Sequence, residues 1–416
     1  MNTATIHPPT SPIRAKIQLA SSKSESNRAL IINALTNFKG QLDNVSSARD
    51  TQTMLRLLQS ENPTADVLDA GTTMRFLTAY FAATAKPKIM TGTPRMCERP
   101  IGILVDALRT LGAEIEYLGV EGFPPHQIKG FRYSGVNRVK VRGDVSSQYI
   151  SALLMVGPTL PEGIIIELTG EIGSRPYIEM TLQQMAAFGV KAQADWEAKV
   201  ITAPAQNYVP TRYAVESDWS GASYWYNVVA LADDAEVELL GLKQHSLQGD
   251  SAIVQIMEYM GVKSTFTKQG VLLTKIPAQS SFSWDFTDCP DLAQTVAVCA
   301  VAKGISVTMT GIESLKIKET DRVAALQAEL PKIGGELVEV VPSQEYVVRQ
   351  KAEGRRSDEL SSDTSPIIST YDDHRMAMAF APVGMIRPVV IEDPHVVAKS
   401  YPSFWEDLKR VTKVEM

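Results

Sequence analysis

The sequence predicts an α/β protein of six repeated units, three to a domain, with apolar helices gathered as a core and sheets outside them. Three observations predict it. Six times a short strand-like run ends in a polar or glycine-containing turn that opens a helix of small and apolar residues. A second, amphipathic helix follows in each unit, and four of these end at a glycine that begins an alternating strand. The first helix of a unit is apolar on all sides, the pattern of a helix enclosed by other elements.

The turns lie at residues 21–28, 69–75, 143–148, 217–220, 288–291 and 371–375. Between Lys23, Gly71, Ser146, Ser220, Asp291 and His374 the intervals are 48, 75, 74, 71 and 83 residues. The first interval leaves no room for further strands between Gln59 and Asp69, so the first unit is expected as a stub. Four apolar helices are expected at 149–156, 224–231, 292–301 and 376–383. The amphipathic helices carry Ile101, Leu104, Leu108 and Leu111 after Pro100, and Ile178, Leu182, Met185 and Phe188 after Pro176, a favourable first-turn residue. Ile253, Met257 and Met260 repeat the spacing, as do Val323, Leu326, Leu330 and Ile333, where Pro331 is expected to kink the helix. Shorter copies fall at 54–58 and on Phe404, Leu408 and Val411. Gly112, Gly189, Gly261 and Gly334 supply the stops. Each unit therefore reads as strand, apolar helix, strand, amphipathic helix, strand, strand.

Composition bounds the function. The 416 residues suffice for two domains, and 44% hydrophobic with 21% charged residues is ordinary for a globular chain. A net charge of −6 argues against nucleic acid as a partner while allowing a local basic cleft. The three cysteines, Cys97, Cys289 and Cys299, have no paired spacing, which fits a reducing cytoplasm. Residues 1–20 lack an apolar segment of the signal-peptide kind, and no run reaches the roughly 18 apolar residues of a membrane span, so no membrane partner is expected. Residues 352–369 are polar and read as an exposed loop. His7, His126, His245 and His395 share no metal-ligand spacing with cysteine or carboxylate, so no metal is expected. No phosphate-binding P-loop, dinucleotide fingerprint or nucleophile elbow is present, and no cofactor is expected.

Helix N-termini carry unpaired N–H groups and partial positive charge, so a fold that gathers several, with Lys and Arg beside them, is suited to anions. Lys23, Ser24 and Arg28 open the first apolar helix. Arg95 and Arg99 precede another helix. Lys318 and Arg322 read as one helical face with Glu319 between them. Taken singly, each is also what a solvated cap or charge-laced helix start looks like. Arg375 differs, because it stands at the mouth of an apolar helix, where an unpartnered guanidinium is costly. His374 beside it reads as a structural residue or as an acid–base group.

Nine motifs then occur in one order: Ser22-Lys-Ser-Glu-Ser-Asn-Arg-Ala-Leu, Ala70-Gly-Thr-Thr-Met-Arg, Pro94-Arg-Met-Cys-Glu-Arg-Pro-Ile-Gly, Asp144-Val-Ser-Ser-Gln, Ser174-Arg-Pro-Tyr, Pro290-Asp291, Lys318-Glu-Thr-Asp-Arg, Asp373-His-Arg-Met-Ala-Met and Ala398-Lys399. In that order they resemble the 3-phosphoshikimate 1-carboxyvinyltransferase (EPSP synthase) family over essentially the whole chain. The resemblance implies an inside-out α/β barrel pair of six βαβαββ repeats, three per domain, the first abbreviated here. Its two chain crossings imply a discontinuous domain of residues 1–20 and 217–416 and an inserted domain of 21–216. It implies transfer of the enolpyruvyl group of phosphoenolpyruvate to the 5-hydroxyl of shikimate 3-phosphate, with release of phosphate, by a cytoplasmic monomer and with closure of the two domains.

Residue by residue, the resemblance places Lys23, Gly71, Arg99, Gln148, Arg322, Arg375 and Lys399 on phosphoenolpyruvate. It places Lys23, Ser24, Arg28, Ser146, Ser147, Gln148, Ser174, Tyr177, Asp291 and Lys318 on shikimate 3-phosphate. Asp291 would be the general base toward the 5-hydroxyl, and Glu319 with Lys23 would handle the proton at the methylene carbon. The chain departs from the family's common pattern at Asp69, where Asn is usual, at Phe76, where many members have Pro, and at Ser314, where Asn is common. Two other readings compete. In UDP-N-acetylglucosamine 1-carboxyvinyltransferase a Lys-Asn and a cysteine about five residues before Arg-Pro are expected, whereas here Lys23 is followed by Ser24 and Cys97 lies two residues before Arg99. A non-catalytic anion binder would have no use for both Asp291 and Glu319.

Overall fold

Short strands of alternating burial and apolar helices assemble, in the computed structural model, into six small sheets; residues 2–351 and 365–416 are described. Five sheets have four strands, and all five share one pairing pattern: a parallel pair, then two antiparallel strands. Thr64–Asp66 runs parallel to Lys88–Thr91, followed by His126–Phe131 and Ala113–Tyr117. Arg138–Arg142 pairs in the same way with Ile164–Thr169, then Val200–Ala203 and Gln193–Asp195. Ile13–Gln18 begins a third with Ala235–Leu240, Gly270–Lys275 and Val262–Phe266. Ser281–Asp285 begins the fourth with Ser306–Thr310, Glu345–Gln350 and Gly335–Val341. In the fifth, Ile367–Ile368 and Val389–Glu392 are completed by Thr3–Ile6 and Val414–Glu415.

The sixth sheet holds only the parallel pair, Arg212–Ala214 with Gln41–Asp43. The first unit thus stops after its second helix, Arg49–Leu58, and the next strand, Thr64–Asp66, belongs to the following unit. This is the expected stub, although its second helix begins five residues before the expected Met54.

The chain divides into two compact units, Met1–Ala20 with Glu216–Met416, and Ser21–Val215. Glu216, placed by the sequence reading in the inserted domain, goes with the split unit. Its carboxylate accepts from Trp219 Nε1 at 2.9 Å, from Lys243 N at 2.8 Å and from the Ser246 hydroxyl at 2.7 Å.

Each unit has its own hydrophobic core. In the Ser21–Val215 unit the helices Lys23–Leu35, Gly71–Ala83 and Ser147–Val156 pack on one another. In the split unit Trp219–Leu231, Ala293–Lys303 and His374–Phe380 do so. Burying these helices on every side removes their apolar surface from water, which drives the assembly. Their polar first turns meet at one end of each core, joined by hydrogen bonds such as Gln148 Nε2 to Thr72 Oγ1 and Arg375 Nη2 to Ser220 Oγ.

Side-chain caps fix those first turns. Ser22 Oγ accepts from Glu25 N at 3.4 Å, Ser146 Oγ from Gln148 N at 3.3 Å, Asp218 Oδ1 from Ser220 N at 2.9 Å and Asp373 Oδ1 from Arg375 N at 2.8 Å. At the ends of the amphipathic helices the expected glycine stops are present. Gly112 has φ +115°, and a Cβ there would meet the Arg132 carbonyl oxygen at 2.0 Å.

Three expectations are corrected. Pro331 does more than kink its helix: the α-helix Arg322–Glu329 ends before it and continues as the 3-10 turn Leu330–Ile333. Lys318 and Arg322 do not share a helical face, because Lys318 is extended (φ −87°, ψ −151°) and Asp321 caps a helix that begins only at Arg322. Of the loop expected over 352–369, residues 352–364 lie outside the described residues, and Ile367–Ile368 form a strand.

Candidate active site

Each core presents its polar helix starts with a cluster of the residues singled out above. In the Ser21–Val215 unit Lys23 opens the first core helix, and its Nζ lies 3.0 Å from Asp50 Oδ2. Asp50 is in the helix Arg49–Leu58, and its carbonyl accepts from Thr73 Oγ1 at 3.2 Å, tying the first and second helix starts together. Gly71 begins the second core helix after Ala70, which supplies no side-chain cap, so the N–H groups of that first turn are left for other acceptors. A Cβ on Gly71 would stand 2.8 Å from Arg99 Nη1, so the guanidinium of Arg99 rests directly on the bare backbone. Gln148 Nε2 donates to Thr72 Oγ1 at 3.1 Å and joins the third helix start to the second. Ser146 caps that third helix with its own hydroxyl, and Ser147 is buried in its first turn.

Arg28 lies one turn beyond Lys23 and Ser24 and is 2% exposed. Nε donates to Thr181 Oγ1 at 2.7 Å, Nη1 to the Ser24 carbonyl at 2.9 Å and Nη2 to Ser151 Oγ at 3.2 Å. The rings of Phe76 and Tyr177 flank its guanidinium carbon at 5.3 and 5.7 Å. Burial lowers its pKa to about 10, against the opposing pull of Tyr177 and Glu25, so it remains a cation at neutral pH. Ser174 precedes Arg175 and Pro176 with φ +55°, a left-handed backbone that a serine adopts only where its surroundings hold it.

Two of the departures have a physical reading here. Asp69 adds no unbalanced charge, because Arg49 Nη2 lies 2.9 Å from both of its oxygens. Phe76 fills the core beside Arg28 and gives that buried cation an aromatic face. Nothing in the structure explains Ser314.

In the split unit the centre is Arg322, its side chain 2% exposed. Nε donates to Asp373 Oδ2 at 2.7 Å, Nη1 to Asp291 Oδ1 at 3.0 Å and Nη2 to Glu319 Oε2 at 2.9 Å. Arg375 grips the other oxygen of Asp291 through Nη2 at 2.8 Å, with longer contacts to the Tyr224 hydroxyl and Ser220 Oγ, both 3.4 Å. Lys399 Nζ lies 3.7 Å from Glu319 Oε1, and Lys318 acts on Asp291 through its charge. Four cations thus stand among the carboxylates of Asp291, Glu319 and Asp373.

Asp291 shows how that charge works. Burial acts to raise its pKa, but Arg375, Lys318 and Arg322 together outweigh it and hold the carboxyl well below the usual range. For Arg322 burial acts to lower the pKa, and Asp373, Glu319 and Asp291 reverse it. Asp291 is therefore ionised at neutral pH, with both oxygens engaged by cations that an incoming anion would also attract. Such an arrangement can bind an anionic group and accept a proton beside it.

The structure brings together Lys23, Ser24, Gly71, Arg99, Arg28, Ser146, Ser147, Gln148 and Tyr177 in one unit, with Ser174 one turn from Tyr177, and Asp291, Lys318, Glu319, Arg322, Arg375 and Lys399 in the other. The sequence reading missed Asp50, Asp373 and Thr181 as partners of these groups. Asp373 was legible in principle as an N-cap two residues before Arg375; Asp50 and Thr181 lie on helix faces that carry no local signal.

Comparison with known proteins gives the family. The family model described as EPSP synthase (3-phosphoshikimate 1-carboxyvinyltransferase) matches residues 8–65 and 59–408. A 3-phosphoshikimate 1-carboxyvinyltransferase from Bacteroides fragilis (strain YCH46) is 47% identical over 405 residues, covering 96% of this chain and 96% of that protein. One of the same name from Cellvibrio japonicus is 38% identical over 434 residues, covering 97% and 98%. A solved structure of EPSP synthase from Acinetobacter baumannii superposes with a TM-score of 0.77 at 20% identity, over the full length of both chains, a likeness of fold.

Proposed function

The chain belongs to the EPSP synthase (3-phosphoshikimate 1-carboxyvinyltransferase) family, and we propose that it performs that enzyme's reaction. The enolpyruvyl group of phosphoenolpyruvate passes to the 5-hydroxyl of shikimate 3-phosphate, and phosphate leaves. The product feeds the shikimate pathway to aromatic amino acids. The observation that carries this reading is the Asp291 carboxylate held between Arg322 and Arg375, a proton acceptor inside an anion-binding cluster.

In the Ser21–Val215 unit we assign Ser24, Arg28, Ser146, Ser147, Ser174 and Tyr177 to shikimate 3-phosphate, with Lys23 and Gln148 serving both substrates. Gly71 and Arg99 are assigned to phosphoenolpyruvate. The uncapped N–H groups at Gly71 and the guanidinium of Arg99 above them suit carboxylate or phosphate oxygens. Three of the five N–H donors of Arg28 are engaged within the unit, which leaves one on each terminal nitrogen for substrate oxygens.

In the split unit Arg322, Arg375 and Lys399 are assigned to phosphoenolpyruvate, Lys318 to shikimate 3-phosphate and Asp291 to the base role. A carboxylate with so low a pKa is a weak base in the empty protein. When the phosphoenolpyruvate carboxylate draws on Arg375 and Arg322, their hold on Asp291 weakens and its basicity rises as the 5-hydroxyl arrives. Glu319, held by Arg322 and close to Lys399, would deliver a proton to the methylene carbon and withdraw one later, with Lys23. The fixed cations stabilise the phosphate-bearing tetrahedral intermediate without reorganising. A monomer in the cytoplasm, without metal or cofactor, completes the proposal; among the described residues no helix is long and apolar enough to cross a membrane.

The test is phosphate release from phosphoenolpyruvate with shikimate 3-phosphate as acceptor, and with UDP-N-acetylglucosamine in parallel. Release with the first acceptor alone is expected. Release with only the second, or with neither, would reject the assignment.

A further inference from the structure

A buried carboxylate behind the Asp291 cluster has no part in the roles assigned above. Asp250 lies in the short 3-10 turn Gly249–Ala252 and is 3% exposed. The segment leading to it is pinned to the start of the core helix Trp219–Leu231: Gln248 Nε2 donates to the Ser217 carbonyl at 2.8 Å, and its Oε1 accepts from Trp219 N at 3.0 Å. This brings Asp250 Oδ2 against the hydroxyl of Ser220, in the first turn of that helix. The other carboxylate oxygen, Oδ1, is buried with no hydrogen bond.

A serine hydroxyl has one proton and two lone pairs. With its proton directed to Asp250, Ser220 Oγ turns a lone pair outward, and Arg375 Nη2 lies 3.4 Å from it. The same Nη2 is 2.8 Å from Asp291 Oδ2. A continuous chain therefore runs from Asp250 through Ser220 to Arg375 and Asp291. Without Asp250 the hydroxyl is free to rotate its proton toward the guanidinium, where two donors would face each other.

We propose that Asp250 is a positioning residue for this reaction, which fixes the orientation of the Arg375 guanidinium through the Ser220 hydroxyl so that it can take the phosphoenolpyruvate carboxylate. The inference rests on the enolpyruvyl-transfer reading, since it is Arg375's hold on phosphoenolpyruvate that it protects. Asp250 is faced by Asp291, Asp218 and Arg375, with the Cys289 thiol also within its field. Burial first, and then the charge of Asp291, push its pKa up to about 7, against Arg375 and the Ser220 hydrogen bond. Below that pH a neutral Asp250 leaves the whole charge of Arg375 to Asp291 and the substrate. Above it, a second carboxylate one hydroxyl away competes for the guanidinium.

Four variants test this with phosphoenolpyruvate as the varied substrate: Asp250→Ala, Ser220→Ala, the two combined, and Asp250→Asn. Loss of a hydrogen bond that orients a charged group corresponds to about a tenfold change, so each alanine variant is expected to raise KM about that much with a smaller fall in kcat. The combined variant is expected to be no worse than the worse single one. In wild type, kcat/KM is expected to fall as pH rises through 7; Asp250→Asn, which still accepts from Ser220, keeps the low-pH value and flattens that limb. An unchanged KM in Asp250→Ala, or effects that multiply in the combined variant, would overturn the proposal. A wild type without turnover would reject the family reaction instead. Independently of turnover, the 13C carboxyl resonance lost in Asp250→Asn should titrate near pH 7 in ligand-free protein and move in Ser220→Ala; titration near pH 4, or no movement, would count against the link.

Discussion

Arg322 and Asp373 form an ion pair closed to solvent: Nε lies 2.7 Å from Oδ2, with the guanidinium side chain 2% exposed and the carboxylate not exposed at all. The other oxygen of Asp373 accepts from Arg375 N at 2.8 Å, so one side chain both balances a buried cation and caps the helix that carries Arg375. Removing one hydrogen-bond partner of a buried group costs about 1–3 kcal/mol, and here Arg322 keeps Asp291 and Glu319 as counter-charges. Asp373→Ala is therefore expected to lose stability on that scale, and Asp373→Asn less, since it can still cap. Urea unfolding of the three proteins measures both differences; equal losses would mean the cap contributes nothing.

Asp291→Asn is expected to fold normally and to lose about 10²–10⁴ in kcat, the scale of a general base. Its two arginines would then have one anionic partner fewer, so the KM for phosphoenolpyruvate should stay level or fall. Steady-state kinetics of the purified variant decide it: a level kcat would exclude the base role, and a raised KM would contradict the competition between Asp291 and substrate for Arg322 and Arg375.

At Gly71 a methyl group would meet Arg99 Nη1 at 2.8 Å and Nη2 at 2.9 Å. The far end of a long side chain can give way, so Gly71→Ala should fold, but with the guanidinium displaced from the helix start. Phosphoenolpyruvate binding is expected to weaken, and inhibition by glyphosate, a longer anion expected to compete for the same place, to weaken more. Inhibition curves at matched phosphoenolpyruvate compare the two; equal shifts would show that the displaced arginine alone is felt.

His126 gives the fold an acid sensitivity of its own. It is fully buried, with Nε2 3.1 Å from the Thr78 hydroxyl. Burial, helped by the charges of Arg75 and Arg109, lowers its pKa from 6.5 to about 4. Between those values the unfolded chain binds the proton and the folded one does not, so stability falls as pH drops from about 6.5 toward 4, by up to about 3 kcal/mol. His126→Gln should flatten that part of the curve. Denaturant midpoints at pH 7, 5.5 and 4.5 for both proteins supply the comparison; parallel curves would assign the sensitivity elsewhere.

Periodic features were the readable ones. Four of the six core helices could be placed, from Tyr149, Tyr224, Leu292 and Met376, because burial on all sides leaves an apolar run, and Gly112 or Gly334 could be read as a stop because a left-handed residue needs no partner to be recognised. Pairings across the chain left no such trace. Asp50 reaches Lys23, and Thr181 reaches Arg28, only after the helices pack, and neither position breaks its own helix pattern. Lys318 misled for a related reason: its spacing to Arg322 is helical, but Asp321 caps the helix after it, and a good cap outranks a charge spacing. Asp250 sits in a turn without periodicity, so nothing local distinguishes it from a solvated loop aspartate.

The sheet containing Thr3–Ile6 bears on how the chain is made. That strand is synthesised long before both of its neighbours, Val389–Glu392 and Val414–Glu415. Every strand of the Ser21–Val215 unit, by contrast, finds its partner within one continuous stretch. Vectorial synthesis therefore lets the inserted unit fold while its host still waits with an unpaired strand, whose partners lie on the far side of that unit.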